Sequence, residues 1–272
     1  MKIVRFVDAA GECRHGIVAG EQIHVATGGL FAGLAPTART VPLAGTRLLA
    51  PLAPVNVLAI GRNYKAHAEE WGGGLPRAPI MFMKATSSVI GPEADVVLPR
   101  IAPRAVDFEA ELAVVIGRAA RDVGEAQALD YVLGYTCAND VSARDCQRGD
   151  EQWCRGKSFD TFCPLGPWIE TELDPSGCVI RGRVGGETMQ DANTALLVFN
   201  VPYLISYLSA GMTLLPGTVI LTGTPGGVGS ARQPPRFLKP GEVMEVEIGG
   251  IGVLRNRVVA APEGKQCGSV GV

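Results

Sequence analysis

The sequence predicts a β-rich α+β protein of mixed sheets with a small β-rich domain at its N-terminus. Its 272 residues include 35 glycines and 19 prolines, so turn signals recur often and the apolar runs between them are short. Several runs alternate apolar and polar residues, which is the period of a half-buried strand. Hydrophobic residues make up 47% of the chain and charged residues 19%, which indicates a compact globular protein.

The first 50 residues form the expected N-terminal domain. Strands are predicted at residues 3–7, 16–18 and 22–25, with glycine-containing turns between them. A proline-punctuated connecting segment follows, marked by Pro36, Pro42, Pro51 and Pro54. The main domain is therefore expected at residues 55–260, followed by a C-terminal tail at 261–272.

The main domain alternates predicted strands with a few helices. Strands are expected at residues 55–60, 80–84, 111–116, 134–137, 219–221, 243–248 and 253–259, and a hairpin turns at Gly185-Gly186 between 179–184 and 187–189. Helices are expected at 64–71 behind an Asn63 cap, at 125–131, after a capping box that begins at Ser142, and at 202–211.

Charge and composition argue against several classes of protein. The net charge is −2 and no basic run is present, which disfavours a nucleic-acid partner. The chain has neither a signal-peptide pattern nor the roughly 18 consecutive apolar residues of a membrane span, so we expect a soluble cytoplasmic protein. Its seven cysteines show no paired spacing and are interpreted as reduced thiols, of which Cys146 and Cys154 are candidates for reactivity.

Three acidic residues are candidate metal ligands. In an extended strand Glu109 and Glu111 point to the same face, which continues as Ala113 and Val115. Two carboxylates on a face that turns apolar need a positively charged partner. Asp140 is a third candidate ligand because it lies where a strand meets a turn, a usual place for functional residues. If Asp140 converges on the pair, the all-oxygen site selects Mg²⁺, Mn²⁺ or Ca²⁺. Alternatively, the glutamates meet water at a strand end and Asp140 forms a turn.

His67, Glu70 and Lys157 are candidate catalytic residues. His67 and Glu70 are three positions apart and share a helix face, so the carboxylate can orient the imidazole as a general base. Lys157 stands beside aromatic and apolar residues and can stabilise developing negative charge. The alternatives are an exposed helical ion pair and a surface lysine. The backbone N–H groups of the glycine-rich segment 222–229 can approach a bound anion. The same sequence is equally consistent with a plain turn that binds nothing.

Taken together, these segments resemble the fumarylacetoacetate hydrolase family, and most of all its acylpyruvate and fumarylpyruvate hydrolases. The matching pieces are Gly61-Arg62-Asn63-Tyr64 with His67 and Glu70, Phe82-Met83-Lys84, Val106 to Leu112, Asn139 to Asp145, Gly156 to Asp160 and Leu221 to Pro225. The resemblance implies a mixed β-sandwich roll, usually a homodimer, with Mg²⁺ or Mn²⁺ bound by residues that match Glu109, Glu111 and Asp140. Gly185 departs from the family pattern, which usually has asparagine there.

The resemblance also implies roles for further residues. The family's catalytic His-Glu dyad matches His67 and Glu70, and its active-site lysine matches Lys157. The glycine-rich loop after Trp71 would be a lid that closes over the site. The implied substrate-binding residues are Arg62, Tyr64, Lys84, Arg144, Gln147 and Thr224.

The implied reaction is metal-dependent hydrolysis of the C–C bond of an acylpyruvate or related 2-oxo acid, through a pyruvate enolate and with water activated by the dyad. Oxaloacetate decarboxylation, isomerisation and hydration use the same enolate and remain alternatives. From other classes, a metal-dependent nuclease and a non-catalytic binding protein also remain open.

Overall fold

A computed structural model of the chain describes residues 1–72 and 74–262. Strands dominate these residues, as the sequence predicts. The strands up to residue 107 are β1 (Lys2–Val7), β2 (Cys13–Ala19), β3 (Gln22–Gly29), β4 (Ala32–Pro42), β5 (Leu48–Leu49), β6 (Asn56–Gly61), β7 (Ile80–Lys84), β8 (Val89–Ile90), β9 (Val96–Leu98) and β10 (Val106–Asp107). The later strands are β11 (Ala110–Ile116), β12 (Val132–Asn139), β13 (Ser142–Ala143), β14 (Cys163–Glu170), β15 (Val179–Val184), β16 (Glu187–Asn193), β17 (Thr218–Leu221), β18 (Val243–Ile248) and β19 (Gly252–Ala260). The α-helices are α1 (Lys65–Glu70), α2 (Arg144–Gly149), α3 (Cys154–Lys157) and α4 (Val201–Gly211).

A large sheet packs against a smaller one. The main path of the large sheet runs β4-β3-β2-β1-β14-β12-β11-β17-β6-β7, with β5 beside β1 and β8 beside β14. The smaller sheet has the order β16-β15-β18-β19-β9, and β10 pairs with β13. Leu112 of the large sheet, Ile180 of the smaller one and Leu204 of α4 belong to one apolar core. The architecture is therefore the mixed β-sandwich with few helices that the sequence predicts.

The central strand β11 positions the acidic residues. It is buried along its whole length and pairs with β12 on one side and with β17 on the other. Its side chains alternate between two cores, because Leu112 and Val114 contribute to one and Ala113 and Val115 to the other. By the same alternation Glu111 lies on the Ala113 face, as expected. Burial on both faces explains the almost continuous apolar run after Glu111.

The N-terminal strands extend the large sheet. Strand β1 pairs antiparallel with β14, placing Lys2 opposite Glu170 and Ile3 opposite Ile169. This region also has a small core of its own, which includes Phe6. The domain boundaries at residues 1–50 and 55–260 stay predictions, and most of the expected tail lies outside the described residues.

The structure corrects the assignment of Pro36 and Pro42 to a connecting segment. Both residues lie in β4, the edge strand at one end of the large sheet. Pro36 stands opposite Ala26 where the pairing register shifts. An edge strand tolerates proline because its outward N–H needs no ladder partner. Strand β14, which the sequence analysis did not predict, also carries two prolines, Pro164 and Pro167.

The two predicted helix caps are wrong, although a helix follows each position. The Asn63 side chain donates to the carbonyl oxygens of Phe199 and Thr222 and accepts from the Phe199 N–H, so it ties the loop before α1 to the end of β17. Ser142 lies in β13 and donates to the Asp140 carbonyl at 2.9 Å. The Asn63 side chain thus bonds to distant segments and the Ser142 side chain to its own turn, so neither caps a helix. Residues 125–131 form a 3₁₀-helix rather than an α-helix.

Candidate active site

Glu109, Glu111 and Asp140 converge at the ends of two paired strands. The register of β11 and β12 places Ala110 opposite Asn139, which brings the residues on either side of that pair together. The Asp140 N–H donates to the Glu109 carbonyl oxygen at 2.9 Å. One carboxylate oxygen from each of the three acids lies within 4.8 Å of the others, and all three side chains are buried.

Three buried cations surround this acidic cluster. Lys157 Nζ lies 2.6 Å from Glu109 Oε2 and 2.6 Å from Asp140 Oδ2. Lys84 Nζ lies 2.5 Å from Asp140 Oδ1 and also donates to the Lys157 carbonyl oxygen. Arg144 Nη2 lies 2.7 Å from Glu109 Oε1. Lys84, expected as a substrate-binding residue, therefore lies behind Asp140 and holds it in place.

These neighbours shift the pKa values of the two glutamates in opposite directions. Burial opposes ionisation at Glu109, but the charges of Lys157 and Arg144 outweigh it and hold the pKa of Glu109 well below its usual range. At Glu111 burial, reinforced by the negative charges of Asp140 and Glu109, raises the pKa well above the usual range. Burial lowers the pKa of Lys157, but the two carboxylates prevail and raise it, so Lys157 stays charged.

The donor set fits a hard divalent cation. Among the described residues Glu111 forms no ion pair, and its carboxylate accepts the Gly223 N–H at 2.7 Å. A buried carboxylate without a cation is strongly disfavoured in its charged form, and a bound cation would remove that penalty. The three ligands would all be carboxylate oxygens, which Mg²⁺, Mn²⁺ and Ca²⁺ prefer.

Asp107 positions Arg144 and was missed as a functional residue. Its Oδ2 lies 2.9 Å from Arg144 Nε, and its carboxylate also accepts the backbone N–H groups of Gly229 and Ser230. Arg144 Nη1 donates to Gln147 Oε1 at 2.8 Å. An aspartate two positions before Glu109 was the available sequence signal. Its partners could not be inferred because Arg144 lies 37 residues away along the chain, and Gly229 and Ser230 lie 122 and 123 residues away.

His67 and Glu70 form the predicted pair on α1. His67 Nδ1 lies 3.0 Å from Glu70 Oε2, and Glu70 Oε1 accepts the Gly227 N–H at 2.6 Å. The imidazole is buried and contacts Trp71 edge to face, with 6.3 Å between ring centroids. The glycine-rich segment 222–229 thus supports the dyad carboxylate. The proposed lid stays a prediction, and Gly73 lies outside the described residues.

A cavity of about 150 Å³ joins the dyad to the acidic cluster. Its apolar walls include Trp71, Phe82 and Trp153, none of which was predicted to bind substrate or to act in catalysis. Gly61 leaves room for Trp153, since a Cβ there would meet the indole ring at 2.5 Å. The predicted residues that line the cavity are Arg62, His67, Glu109, Glu111, Arg144, Gln147, Lys157 and Thr224.

Of the predicted substrate-binding residues, Tyr64 does not line the cavity, whereas Thr224 lines it with its hydroxyl already hydrogen-bonded. Tyr64 is buried and its hydroxyl has no partner within the described part of the chain. The Thr224 hydroxyl donates to the Ala110 carbonyl and accepts from Gln190 Nε2, so it fixes the loop to β11. Of the two candidate thiols, Cys154 is exposed, whereas Cys146 is buried and burial raises its pKa.

Comparisons with known proteins identify the family. Residues 56–259 match the fumarylacetoacetate (FAA) hydrolase C-terminal family, and residues 1–51 match the family described as Rv2993c-like, N-terminal. The chain therefore belongs to the fumarylacetoacetate hydrolase family, whose enzymes depend on a divalent metal ion and act on small molecules. Among the described residues, no helix combines the length and the apolarity needed to cross a bilayer.

The names of individual relatives state different activities. The chain is 47% identical over 218 residues to mitochondrial oxaloacetate tautomerase fahd2 of Xenopus laevis, covering 78% of this chain and 68% of the relative. A solved structure of 2-hydroxyhepta-2,4-diene-1,7-dioate isomerase from Mycobacterium marinum has a TM-score of 0.87 and 40% identity, covering 97% of this chain and all of that one. Fumarylacetoacetate hydrolase from psychrophilic Exiguobacterium antarcticum has a TM-score of 0.88 and 37% identity, with 96% and 100% coverage.

Proposed function

We propose that this protein is a divalent-metal-dependent enzyme that forms the enolate of a 2-oxo acid, and that it hydrolyses the C–C bond of an acylpyruvate. The observation that carries the proposal is that His67, bonded to Glu70, faces the same cavity as Glu109 and Glu111. An oriented imidazole can activate water, and the acidic cluster can hold the ion that an enolate requires.

In this proposal His67 is the general base. The contact between Nδ1 and Glu70 favours the tautomer that carries its proton on Nδ1, because a carboxylate can only accept, and Nε2 is then the atom left to accept a proton from water. The water oxygen forms a bond to the distal acyl carbon as that proton moves to Nε2. The bond between the acyl carbon and C3 of the pyruvate unit then breaks, and its electron pair enters the pyruvate enolate. Protonation at C3 yields pyruvate, and the acyl part leaves as a carboxylic acid.

Fixed charges around the cavity stabilise the enolate. A bound divalent ion would supply an electrophilic anchor for the carboxylate and 2-oxo oxygens of the substrate. Lys157 keeps its positive charge because Glu109 and Asp140 hold its ammonium group, so it adds preorganised stabilisation. Trp71 and Trp153 line the cavity with apolar surface, and electrostatic interactions are stronger beside apolar groups than in bulk water.

An activity screen tests the proposed reaction. The panel contains fumarylpyruvate, shorter acylpyruvates and oxaloacetate, each with Mg²⁺ or Mn²⁺ and with EDTA. Hydrolysis is followed by ultraviolet loss of the enol together with enzymatic detection of pyruvate. Metal-dependent pyruvate release from an acylpyruvate supports the proposal. Absence of release across the acylpyruvates would overturn hydrolysis, and absence of any metal-dependent turnover would favour a non-catalytic protein.

Tautomerisation of oxaloacetate is the second candidate. The observation in its favour is the 47% identity to an oxaloacetate tautomerase over 78% of this chain. The same cavity would exchange a proton at C3, with His67 as the base and no attack by water. Conversion of enol-oxaloacetate to the keto form without pyruvate release would identify this reaction. Pyruvate release from oxaloacetate would instead indicate decarboxylation, which should tolerate loss of Glu70 better than hydrolysis does.

A homodimer and a cytoplasmic location complete the proposal. The homodimer follows from the resemblance between the matched segments and the family. Light scattering coupled to gel filtration would give the mass of the particle in solution. A mass of one chain, at 28.5 kDa, would contradict the dimer without affecting the proposed chemistry.

A further inference from the structure

The buried amide of Gln190 joins the smaller sheet to two elements that carry the site. Gln190 lies on β16 and is 1% exposed. Its Oε1 accepts the Ala110 N–H at 2.9 Å, and its Nε2 donates to the Thr224 hydroxyl at 2.7 Å and to the Pro225 carbonyl oxygen at 2.8 Å. The oxygen and the nitrogen of the amide are therefore both occupied, by β11 and by the glycine-rich segment 222–229.

The chemistry of the partners fixes the direction of these hydrogen bonds. A backbone N–H can only donate and a carbonyl oxygen can only accept, so Ala110 contacts the amide oxygen and Pro225 the amide nitrogen. The Thr224 hydroxyl donates in turn to the Ala110 carbonyl oxygen at 3.0 Å. These bonds close a ring through Gln190, Thr224 and both backbone groups of Ala110. All three residues are buried, so opening the ring would leave a polar group without a partner.

The ring lies between the candidate metal ligands and the dyad. Ala110 separates the two glutamates of β11, and it directly precedes Glu111. In the glycine-rich segment, the Gly223 N–H donates to the Glu111 carboxylate and the Gly227 N–H donates to the Glu70 carboxylate. These two N–H groups stand on either side of the residues that Gln190 holds. The position of segment 222–229 against β11 therefore determines where both carboxylates lie.

Two glycines leave space for this arrangement. Gly182 on β15 stands opposite Gln190, and a Cβ at Gly182 would meet Gln190 Oε1 at 2.7 Å and Ala110 Cβ at 3.2 Å. A Cβ at Gly227 would collide with the Met189 carbonyl oxygen, so the glycine-rich segment packs directly on β16. Strand β15 and the segment can thus close around the Gln190 side chain from both sides.

We infer that Gln190 is a positioning residue, which holds segment 222–229 against β11 and so sets the dyad at its working distance from the metal ligands. The inference rests on the proposed function, because Gln190 does not line the cavity and acts only through Glu111 and Glu70. Removal of a hydrogen bond that supports a metal ligand typically costs about 10–100-fold in metal affinity or activity. The sequence analysis did not select Gln190, because its partners lie 80, 34 and 35 residues away along the chain.

Gln190→Met tests the inference, because it keeps the length of the side chain and removes every hydrogen bond of the amide. The Ala110 N–H is then left unpaired between the two glutamates, and Mg²⁺ affinity measured by calorimetry should fall about 10-fold. At saturating Mg²⁺, kcat for the substrate found in the activity screen should also fall about 10-fold, because the dyad is misplaced. Urea denaturation of the same variant measures how much of the fold's stability is lost.

Asn256→Leu is the matched control. Asn256 is 2% exposed and donates to the carbonyl oxygens of Gly91 and Ala94, so this variant also removes two hydrogen bonds of a buried amide. Asn256 lies on β19 and does not line the cavity. The control should lower the free energy of unfolding, yet leave Mg²⁺ affinity and kcat unchanged. Equal losses of Mg²⁺ affinity in both variants would show that Gln190 only stabilises the fold.

A double-mutant cycle tests whether Gln190 acts through the dyad. In the Glu70→Ala background, Gln190→Met should lower kcat by less than about twofold, because the carboxylate that the segment positions is already absent. The same 10-fold loss in both backgrounds would contradict the assigned role, since a general weakening of the fold acts independently of Glu70.

Gly182→Ala perturbs the amide without removing it. The added methyl group would push Gln190 Oε1 away from the Ala110 N–H, so Mg²⁺ affinity should fall in the same direction as in Gln190→Met. This variant tests the inference even if Gln190→Met does not fold. Unchanged Mg²⁺ affinity in Gly182→Ala and Gln190→Met would refute this inference alone. Failure of the wild type to bind Mg²⁺ would contradict the proposed function together with it.

Discussion

Asp107 and Arg144 form an ion pair in which neither side chain is accessible to solvent. Arg144 Nη2 lies 2.8 Å from Asp107 Oδ2, and both side chains are 0% exposed. Water cannot screen or replace either partner, so each charge depends on the other. The pair fixes the guanidinium that also contacts Glu109, and it links the acidic cluster to the loop that contains Gly229.

Removal of this aspartate should destabilise the fold. Asp107→Asn leaves the Arg144 charge buried with one carboxylate fewer, and we expect a loss of about 3–5 kcal/mol in the free energy of unfolding. Urea denaturation measures the change. Asp122→Asn, at a side chain that is 67% exposed, is the control and should change stability by less than about 0.5 kcal/mol. Equal stability of the two variants would show that the buried pair is unimportant.

Loss of the dyad should separate catalysis from metal binding. His67→Ala and Glu70→Gln should lower kcat by about 10²–10⁴, the usual contribution of general acid–base catalysis, while Mg²⁺ affinity stays the same. Glu69→Gln is the matched control, because Glu69 lies on the same helix but its side chain is 64% exposed and faces Lys65. Full activity of His67→Ala would refute its assignment as the base.

The raised pKa of Glu111 predicts how the stability of the metal-free protein depends on pH. Above the unfolded-state pKa of 4.5, the folded chain keeps a proton on Glu111 that the unfolded chain has lost. The state that binds more protons loses stability as pH rises, so the free energy of unfolding should fall until pH passes the folded-state pKa. Glu109, whose pKa is lowered, acts in the opposite sense, and its effect is confined to pH below its ordinary value of 4.5.

Denaturation in EDTA at several pH values from roughly 5 to 8 would measure this trend. Glu111→Gln removes the titrating group without changing the shape of the side chain, so its stability should depend less on pH than that of the wild type. Saturating Mg²⁺ should also reduce the trend, because the ion stabilises ionised Glu111. Identical pH profiles for the wild type and Glu111→Gln would contradict the raised pKa.

The hairpin between β15 and β16 offers a stabilising substitution. Gly185 and Gly186 have φ values of 59° and 83°, as a type I′ turn requires, and a Cβ at Gly185 would meet nothing within 4 Å. Gly185→Asn should add about 0.4–1 kcal/mol of stability, because asparagine tolerates this conformation and restricts the unfolded chain. Thermal denaturation would show the gain. Gly185→Val should destabilise, and a stabilising valine would argue against the turn geometry.

Local patterns in the sequence predicted the parts of the site that depend on short-range geometry. Strand alternation placed Glu109 and Glu111 together, helical spacing paired His67 with Glu70, and the Gly-Gly dipeptide gave the hairpin. Contacts between segments that are distant in the chain could not be predicted from such local patterns. Asp107 reaches Gly229, and Lys84 reaches Asp140, only because the sheets bring these segments together. A tertiary contact also drew Asn63 away from its expected helix cap, whereas Ser142 bonds to the Asp140 carbonyl two residues before it.

The proposed chemistry depends on Glu109, Glu111 and Asp140 holding one hard divalent ion. An anomalous difference map from a crystal grown with Mn²⁺ would locate that ion. We expect one strong peak about 2.0–2.3 Å from an oxygen of each carboxylate. The peak should vanish in Glu109→Ala and in Asp140→Ala. A peak elsewhere, or none among these three side chains at saturating Mn²⁺, would show that they do not form the metal site.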